Sequence, residues 1–268
     1  MSNAISVSEL MRRIGGPDAP RVLDVRRRAA YEADDHVLPT AVWHHHGKAA
    51  EGAMATAGDD DIVVYCAHGE QLSQGAAADL RARGLRARHL AGGIDAWRAE
   101  GGVLVRRSGL GDRFERRPTR WVTRERPKID RTACPWLIRR FIDRDASFLF
   151  VEPAWVRDAG TEFDAVAFDV EDVEFTHVGD GCTFDTLVER FGLADRALAR
   201  MAMILRAADT GALEADARAP GVLALCLGLS AITPDDHAAV DRAMVLHDAL
   251  YGWCRLAMDE THGWPPAR

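Results

Sequence analysis

Short hydrophobic runs alternate with amphipathic stretches through the first hundred residues. The runs are rich in β-branched and other apolar side chains and lie at 21–25, 40–43, 62–66 and 87–90. Amphipathic stretches such as 74–83 and 94–100 have the spacing of helices. This alternation is typical of a parallel sheet covered by helices on both faces. We therefore predict an α/β fold for the first part of the chain.

The pattern changes beyond residue 120. Apolar runs at 120–123 and 148–151 predict two strands, and mainly helical patterns follow them. Thr233 and Pro234, followed by two acids, indicate a helix start, because threonine is a good N-cap and proline suits the first helical position. This helix is expected to continue to about Asp259. We predict a helix-rich α+β domain for the second part.

A basic segment separates the two parts. Between Arg106 and Lys128 there are nine Lys or Arg residues and three acidic ones, with two glycines and two prolines, whereas the whole chain carries a net charge of −7. We predict a first domain over 1–105, a basic linker over 106–127 and a second domain over 128–268. No aromatic interleaving or nucleic-acid motif accompanies the basic residues, which favours a solvated linker over a nucleic-acid interface.

Composition indicates a globular protein. The chain of 268 residues is 47% hydrophobic and 28% charged, which is ample for two domains with real cores. It has no apolar run near the roughly 18 residues that a membrane span requires, and its start lacks a signal-peptide core. We expect a cytoplasmic protein without a membrane partner. Five cysteines without a CxxC pair are expected to be free thiols.

Cys66 is the strongest candidate for chemistry. It follows the β-rich run 62–65 and precedes a short polar loop that leads into a helix. The amides at the start of a helix, with the positive end of its dipole, stabilise a thiolate and bind anions. Cys66 is therefore predicted to be a nucleophile that faces an anionic substrate.

The residues around this loop resemble the successive blocks of a single-domain rhodanese. The matching blocks are Val22–Arg26, Tyr31, His36, Pro39, Ala41, Tyr65–Cys66, Gly69, Ser73, Ala76–Ala77, Leu80, Gly84 and Leu90–Trp97. The resemblance implies a thiosulfate sulfurtransferase in which Cys66 carries a persulfide between a small anionic sulfur donor and a thiol acceptor, and it implies no cofactor. It assigns substrate binding to the loop residues Ala67, His68, Gly69, Glu70, Gln71, Leu72 and Ser73, and a supporting role to Asp24 and Arg26.

One departure from the rhodanese pattern concerns the substrate. The loop after Cys66 is one residue longer than is common, and Gln71 and Leu72 stand where an arginine is often found. Fewer positive charges argue against tight thiosulfate binding. A longer loop also occurs in the related phosphatases and arsenate reductases, where it surrounds a larger oxyanion.

The second part resembles the C-terminal domain of ChrB-type chromate-resistance proteins. The resemblance begins at Lys128–Ile142 and continues through Glu174–His177, Gly179–Asp180, Cys182–Asp185, Asp209, Ala219–Gly221, Leu227–Ser230, Asp235–His237 and Asp248–Tyr251. It implies a link to chromate resistance, with chromate as a possible ligand. The candidate site residues of this domain are Arg131, Cys134, Arg139, Glu174 and His177.

The segment Lys128–Ile142 can also be interpreted from its residue types alone. If Pro135 lies in the first turn of a helix, Cys134 lies near the N-cap, where a thiolate is favoured. Arg131, Arg139 and Arg140 would then form a site for a tetrahedral oxyanion, whose geometry guanidinium groups match. The alternative is a structural helix with a packed cysteine and surface arginines.

A metal site is the competing hypothesis for the second domain. Its ligand-type residues are Glu174, His177, Cys182, Asp185, Asp209, His237 and His247. No pair among them has a recognised metal spacing such as HExxH or CxxC, so the sequence leaves the metal question open.

Three functional hypotheses follow. The first is a sulfurtransferase that uses a Cys66 persulfide in connection with chromate resistance. The second is a non-catalytic sensor of chromate, another oxyanion or redox state. The third is a cysteine-based oxyanion reductase or phosphatase. We favour the first.

Overall fold

The computed structural model describes residues 2–54 and 60–260. They form two compact units. The first unit comprises Met1–Arg117 and Arg139–Arg144, and the second comprises Pro118–Ile138 and Asp145–Arg268. The chain thus contributes a short later segment to the first unit. Within this segment Phe141 accepts a hydrogen bond at its carbonyl from the amide of Thr40, at 2.9 Å.

A five-stranded parallel sheet forms the centre of the first unit. Its strands occur in the order β1-β6-β5-β2-β4. The strands of this unit are β1 (Ala4–Ile5), β2 (Arg21–Asp24), β3 (His36–Val37), β4 (Val42–Trp43), β5 (Ile62–Tyr65), β6 (Ala87–Leu90) and β7 (Val105–Arg106). β3 and β7 form a separate antiparallel pair. All four residues of β5 are buried, as expected for the middle strand of a sheet covered by helices.

Five α-helices in the described residues of this unit flank the sheet. They are α1 (Val7–Arg13), α2 (Arg28–Glu32), α3 (Ala49–Met54), α4 (Gln71–Ala82) and α5 (Gly93–Ala99). α4 buries Ser73, Ala76, Ala77 and Leu80, which recur at helical spacing on one face. Ala76, Ala77 and Leu80 pack in the same core cluster as Val64 of β5. The α/β fold predicted for this part is confirmed.

The second unit combines a small sheet with many helices. Its parallel sheet has the order β10-β8-β9, with β8 (Arg120–Arg124), β9 (Ser147–Val151) and β10 (Val166–Ala167). The helices are α6 (Asp130–Leu137), α7 (Val156–Glu162), α8 (Thr183–Arg190), α9 (Arg196–Asp209), α10 (Ala219–Ile232) and α11 (Asp236–Leu256). The predicted helix-rich α+β class is confirmed.

Residues 106–127, predicted as a basic linker, contain both strand and 3-10 structure. Arg106 belongs to β7, and the Arg107 guanidinium donates to the carbonyls of Tyr31 and Asp34, each at 2.9 Å. Arg120–Arg124 form β8, the middle strand of the second sheet. The chain passes from the first unit to the second between Arg117 and Pro118.

The last helix begins two residues later than the sequence predicts. Asp235 is the N-cap, because its carboxylate accepts the amide of Ala238 at 2.7 Å, and the helix ends at Leu256. Thr233 is instead a buried residue after α10, and its hydroxyl accepts a hydrogen bond from Arg242 at 2.9 Å. An aspartate is as good an N-cap as threonine, which explains the displaced start. No helix in the described part of the chain is both long and apolar enough to span a bilayer.

Gly93 lies where two backbone segments of the first unit approach each other closely. Its φ is +60°, and a Cβ there would lie 2.3 Å from the Cys66 carbonyl oxygen. We expect Gly93→Ala to lower the free energy of unfolding by at least about 1 kcal/mol, since the left-handed conformation alone costs that much. Gly75→Ala is the control: it lies in α4 with open space around it, and alanine there should stabilise by up to about 1 kcal/mol. Equal urea midpoints for Gly93→Ala and wild type would contradict the close approach.

Candidate functional site

A tight loop carries Cys66 from the central strand to a helix. Cys66 directly follows β5, and α4 begins five residues later at Gln71. The Cys66 carbonyl accepts the amide of Ile94 at 3.0 Å, and the Ala67 carbonyl accepts that of Asp95 at 3.1 Å. These two bonds hold the start of the loop against the first turn of α5.

Gly69 makes the turn of this loop possible. Its φ is +70°, and a Cβ on it would lie 2.5 Å from the carbonyl oxygen of Leu90. Only glycine meets both conditions without strain. Gly69 therefore has a structural role in the predicted substrate-binding loop.

The Cys66 sulfur contacts the first turn of α4. Its Sγ lies 3.3 Å from the hydroxyl oxygen of Ser73, which also donates to the carbonyl of Glu70 at 3.1 Å. A serine hydroxyl has one proton, so it donates either to Glu70 or to the sulfur. Donation to the sulfur stabilises a thiolate or a persulfide, and the unpaired amides of the first turn of α4 favour negative charge nearby.

A cavity of about 290 Å³ gives access to this cysteine. Cys66 itself is only 5% exposed. The residues that line the cavity are Arg26, Arg27, Ala30, Cys66, Ala67, His68, Glu70, Gln71 and Leu72. The structure thus brings together six of the eight residues predicted for the catalytic loop. Of the other two, Gly69 forms the turn and Ser73 contacts the sulfur.

Arg27 is a cavity residue that the sequence reasoning missed. It precedes α2, it is exposed, and it lines the same cavity as Cys66. No ion pair or side-chain hydrogen bond engages Arg27 within residues 2–54 and 60–260. The loop lacks an arginine, but Arg27 supplies a positive charge from a different strand end. The sequence feature that could have identified Arg27 is its position directly after Arg26, at the end of β2, which is the strand next to β5.

Asp24 and Arg26 form a buried ion pair behind the catalytic strand. The Arg26 Nη2 atom lies 2.6 Å from Asp24 Oδ2, and both side chains are at most 2% exposed. Tyr65 donates its hydroxyl to the same carboxylate at 2.8 Å. Because Tyr65 immediately precedes Cys66, Asp24 fixes the end of β5 from which the nucleophile projects. Arg26 is neutralised by Asp24 and by Asp34, at 2.9 Å, which leaves Arg27 as the other arginine of the described cavity lining to face a ligand.

His68 lies on the outer side of the loop. Its Nδ1 atom is 2.8 Å from Asp95 Oδ2, and both side chains are more than half exposed. His68 also lines the Cys66 cavity. The pair joins the loop to α5 a second time, in parallel with the backbone bonds at Ile94 and Asp95.

The structure corrects the predicted setting of Cys134. The helix α6 begins at Asp130, so Cys134 is its fifth residue, and Pro135 lies inside the helix instead of in its first turn. Cys134 is fully buried, and burial, followed by the charges of Asp130 and Asp169, raises the pKa of its thiol well above the usual value. Cys134 is thus an inert thiol at neutral pH, since a thiolate is strongly disfavoured there.

The three arginines of the predicted oxyanion site lie in different units. Arg131 belongs to the second unit, whereas Arg139 and Arg140 belong to the first. Neither unit by itself therefore contains the predicted trio. The Arg131 Nε atom is 3.5 Å from Asp169 Oδ2, and Asp130 and Asp209 also act on its guanidinium. Carboxylates around Arg131 repel an anion, so the predicted oxyanion site is not a feature of the second unit.

His177 and Glu174, the remaining predicted residues, are not together either. Glu174 forms an exposed ion pair with Arg190. His177 points its Nε2 atom at three carboxylates and lies 3.2 Å from Asp209, 3.3 Å from Asp169 and 3.7 Å from Asp130. Burial and mutual repulsion raise the pKa of Asp130 well above its usual value, and the same causes raise that of Asp209.

Among the other ligand-type residues of the second unit, Cys182 interacts with Asp130, and the rest have separate partners. Asp185 binds the guanidinium of Arg206, at 2.6 Å and 2.9 Å, and burial raises the pKa of Cys182. His247 is fully buried, its Nε2 atom lies 3.0 Å from the Thr132 hydroxyl, and burial lowers its pKa to about 4. His237 is exposed and its ring meets that of Phe150 edge-on.

The strand, loop and helix around Cys66 define the first domain as rhodanese-like, and the Rhodanese-like domain family matches residues 6–100. The chain belongs to the ChrB C-terminal domain family, whose match covers residues 121–254. Both resemblances predicted from the sequence are confirmed. A curated relative, Protein ChrB of Cupriavidus metallidurans, is 40% identical over 132 residues. That match covers 49% of this chain and 39% of the relative, so the chain spans well under half of its length.

Solved structures described as rhodanese-related or rhodanese-like are similar to a part of this chain. A rhodanese-related protein of Thermoplasma volcanium is 27% identical, with a TM-score of 0.33, and the match covers 38% of this chain and 96% of that one. A rhodanese-like domain from an Anabaena protein is 30% identical, with a TM-score of 0.34, and the match covers 38% and 77% of the two chains.

Replacement of Asp24 tests its supporting role. We expect Asp24→Ala to lower the free energy of unfolding by about 3–5 kcal/mol, because Arg26 would remain as a buried charge without its main partner. The control is Glu32→Ala, which removes an exposed ion pair with Arg28 and should cost less than about 1 kcal/mol. Urea unfolding measures both. Unchanged stability of Asp24→Ala with complete loss of sulfur transfer would make Asp24 a reacting group instead.

Proposed function

We propose that the first domain is a sulfurtransferase that carries sulfur as a persulfide on Cys66. The observation that carries this proposal is the position of the Cys66 sulfur. It lies at the end of the central strand, 3.3 Å from Ser73 in the first turn of α4, and it lines a cavity that Arg27 also lines. A small anionic sulfur donor matches this combination of nucleophile, helix N-terminus and cation.

The transfer requires no external oxidant. The Cys66 thiolate attacks the outer sulfur of thiosulfate, a bond forms between the two sulfurs, and the S–S bond of thiosulfate breaks. Sulfite leaves with the electron pair of that bond. A nucleophile such as cyanide or a thiolate then attacks the terminal sulfur of the persulfide, and the Cys66 thiolate is regenerated.

The surrounding groups support each state of the sulfur. The serine hydroxyl and the helix N–H groups stabilise negative charge on the thiolate or on the terminal sulfur of the persulfide. Arg27, which lines the same cavity, orients the anionic donor. Asp24, Arg26 and Tyr65 keep the strand end in place.

The second domain connects this chemistry to chromate resistance. The relative named Protein ChrB shares this domain and not the whole chain. We infer that sulfur transfer by the first domain serves the same cellular response to an oxidising oxyanion. The competing sensor, reductase and phosphatase hypotheses differ from it in that none of them requires sulfur to be transferred.

Cys66→Ser should abolish transfer of sulfur from thiosulfate to cyanide. Treatment of wild type with thiosulfate should add the mass of one sulfur atom, mapped by peptide mass spectrometry to Cys66. Cys226→Ser is the matched control, because burial raises the pKa of Cys226 to about 11 and its thiol is inert at neutral pH. Retained activity in Cys66→Ser would refute the assignment. Arsenate or phosphoester turnover without sulfur transfer would instead support a reductase or phosphatase.

Arg27→Gln should weaken binding of the sulfur donor more than it slows transfer. We expect KM for thiosulfate to rise roughly 10-fold, since a charge-assisted hydrogen bond contributes about 1.5–3 kcal/mol, while kcat changes less. The control is Arg83→Gln, which removes the same charge at the other end of α4, where Arg83 pairs with Asp79. Steady-state kinetics at low and high salt measure the effect. Equal KM values for the two variants would exclude a specific role for Arg27.

A further inference from the structure

A histidine and three carboxylates meet inside the second unit. Asp130 is the first residue of α6, Asp209 is the last residue of α9, and His177 lies between β10 and α8. Ligand atoms of Asp130, His177 and Asp209 all lie within 4.8 Å of one another. Three separate elements therefore direct potential metal ligands to one point.

The third carboxylate, Asp169, already has its partners. Asp169 accepts the Thr183 hydroxyl at 2.9 Å on Oδ1, and its Oδ2 faces Arg124 at 3.0 Å and Arg131 at 3.5 Å. Arg124 and Arg131 thus neutralise the charge of Asp169. Asp130 and Asp209 remain as the carboxylates that an added cation would bind.

Asp130 is satisfied on one side only. Its Oδ2 atom accepts the amides of Thr183, at 2.5 Å, and Phe184, at 3.3 Å, at the start of α8. Its Oδ1 atom is buried and has no hydrogen-bond partner among the described residues, and the residue is 1% exposed. A buried carboxylate oxygen without a partner is costly, and a bound cation removes that cost.

We propose that Asp130, His177 and Asp209 bind a divalent cation of the first transition row. Two carboxylate oxygens and one imidazole nitrogen form a donor set that suits Mn²⁺, Fe²⁺ or Zn²⁺. Three protein ligands leave coordination positions for water or another ligand, as in catalytic metal sites. The site uses none of the residues assigned to sulfur transfer and does not depend on that assignment.

The ion has a route from solvent. His177 is 40% exposed at its side chain, and it lines a cavity of about 570 Å³ whose other walls include Asp180 and Arg206. Asp209 is 18% exposed, whereas Asp130 closes the inner side. His177 and Asp209 are therefore accessible to an ion from solvent, and Asp130 lies on the buried side.

Titration of the full chain with Mn²⁺, after treatment with a chelator, tests the proposal. Electron paramagnetic resonance of free Mn²⁺ should show one bound ion per chain, and Zn²⁺ should displace it. His177→Gln and Asp209→Asn should each weaken binding at least about 10-fold, since even the loss of a group that only orients a ligand costs that much. Both residues are partly exposed, so these variants are better choices than a change at Asp130, which caps α8.

Two control variants separate the site from general surface charge. Glu174→Gln lies three residues from His177 and changes an exposed pair with Arg190; His237→Gln changes an exposed histidine of the same unit. Both should bind Mn²⁺ as wild type does, and Mn²⁺ should raise the Tm of wild type and controls but not of His177→Gln or Asp209→Asn. The proposal is overturned if folded wild type binds neither Mn²⁺ nor Zn²⁺, or if binding is equally strong in His177→Gln and Asp209→Asn. In either case His177 acts only as an ion-pair partner of the carboxylates.

Discussion

The first domain depends on the close approach of two backbone segments. The carbonyls of Cys66 and Ala67 accept amides from the first turn of α5, and glycines at 69 and 93 leave room for this contact. A side chain at either glycine would overlap with backbone atoms, which do not move as a flexible side chain does. The position of the Cys66 sulfur relative to α4 and the cavity follows from this contact, because the loop has only five residues between strand and helix.

The adjacent residues Arg26 and Arg27 have different electrostatic roles. Arg26 is buried and engaged by Asp24 and Asp34, so it holds the strand ends together and contributes little field to the cavity. Arg27 is exposed on the cavity wall and forms no ion pair in the part of the chain described. The consequence is that a loop without its own arginine still faces a positive charge. An anionic donor is thus compatible with the longer loop and with Gln71 and Leu72 in it.

The second unit has the opposite electrostatic character at its centre. Carboxylates from α6 and α9, with Asp169 between β10 and α8, surround His177. Burial, followed by these carboxylates, raises the pKa of the Cys134 thiol. Such surroundings disfavour both a thiolate and a bound oxyanion, and they favour a cation. The two proposed sites thus have opposite charge preferences: an anion is proposed to bind at a helix N-terminus in the first unit and a cation at a cluster of acids in the second.

The sequence by itself determined the fold class of both parts and the position of Cys66 at the end of a strand. Hydrophobic periodicity is a local property, and the strand, loop and helix around Cys66 are contiguous in the chain. The predicted strands at 21–25, 62–66 and 87–90 correspond within a residue to β2, β5 and β6.

Only the tertiary structure decided which distant residues share a site. Arg27 lies 39 positions before Cys66, and the ligand-type residues 130, 177 and 209 have no spacing that marks them as a set. The sequence also misplaced Cys134, because proline is tolerated at a helix start and the pattern could not show that the helix begins earlier, at Asp130. Burial and the proximity of charges arise from packing between elements far apart in the chain, and these two quantities determine whether a cysteine is a nucleophile and whether a carboxylate is free to bind an ion.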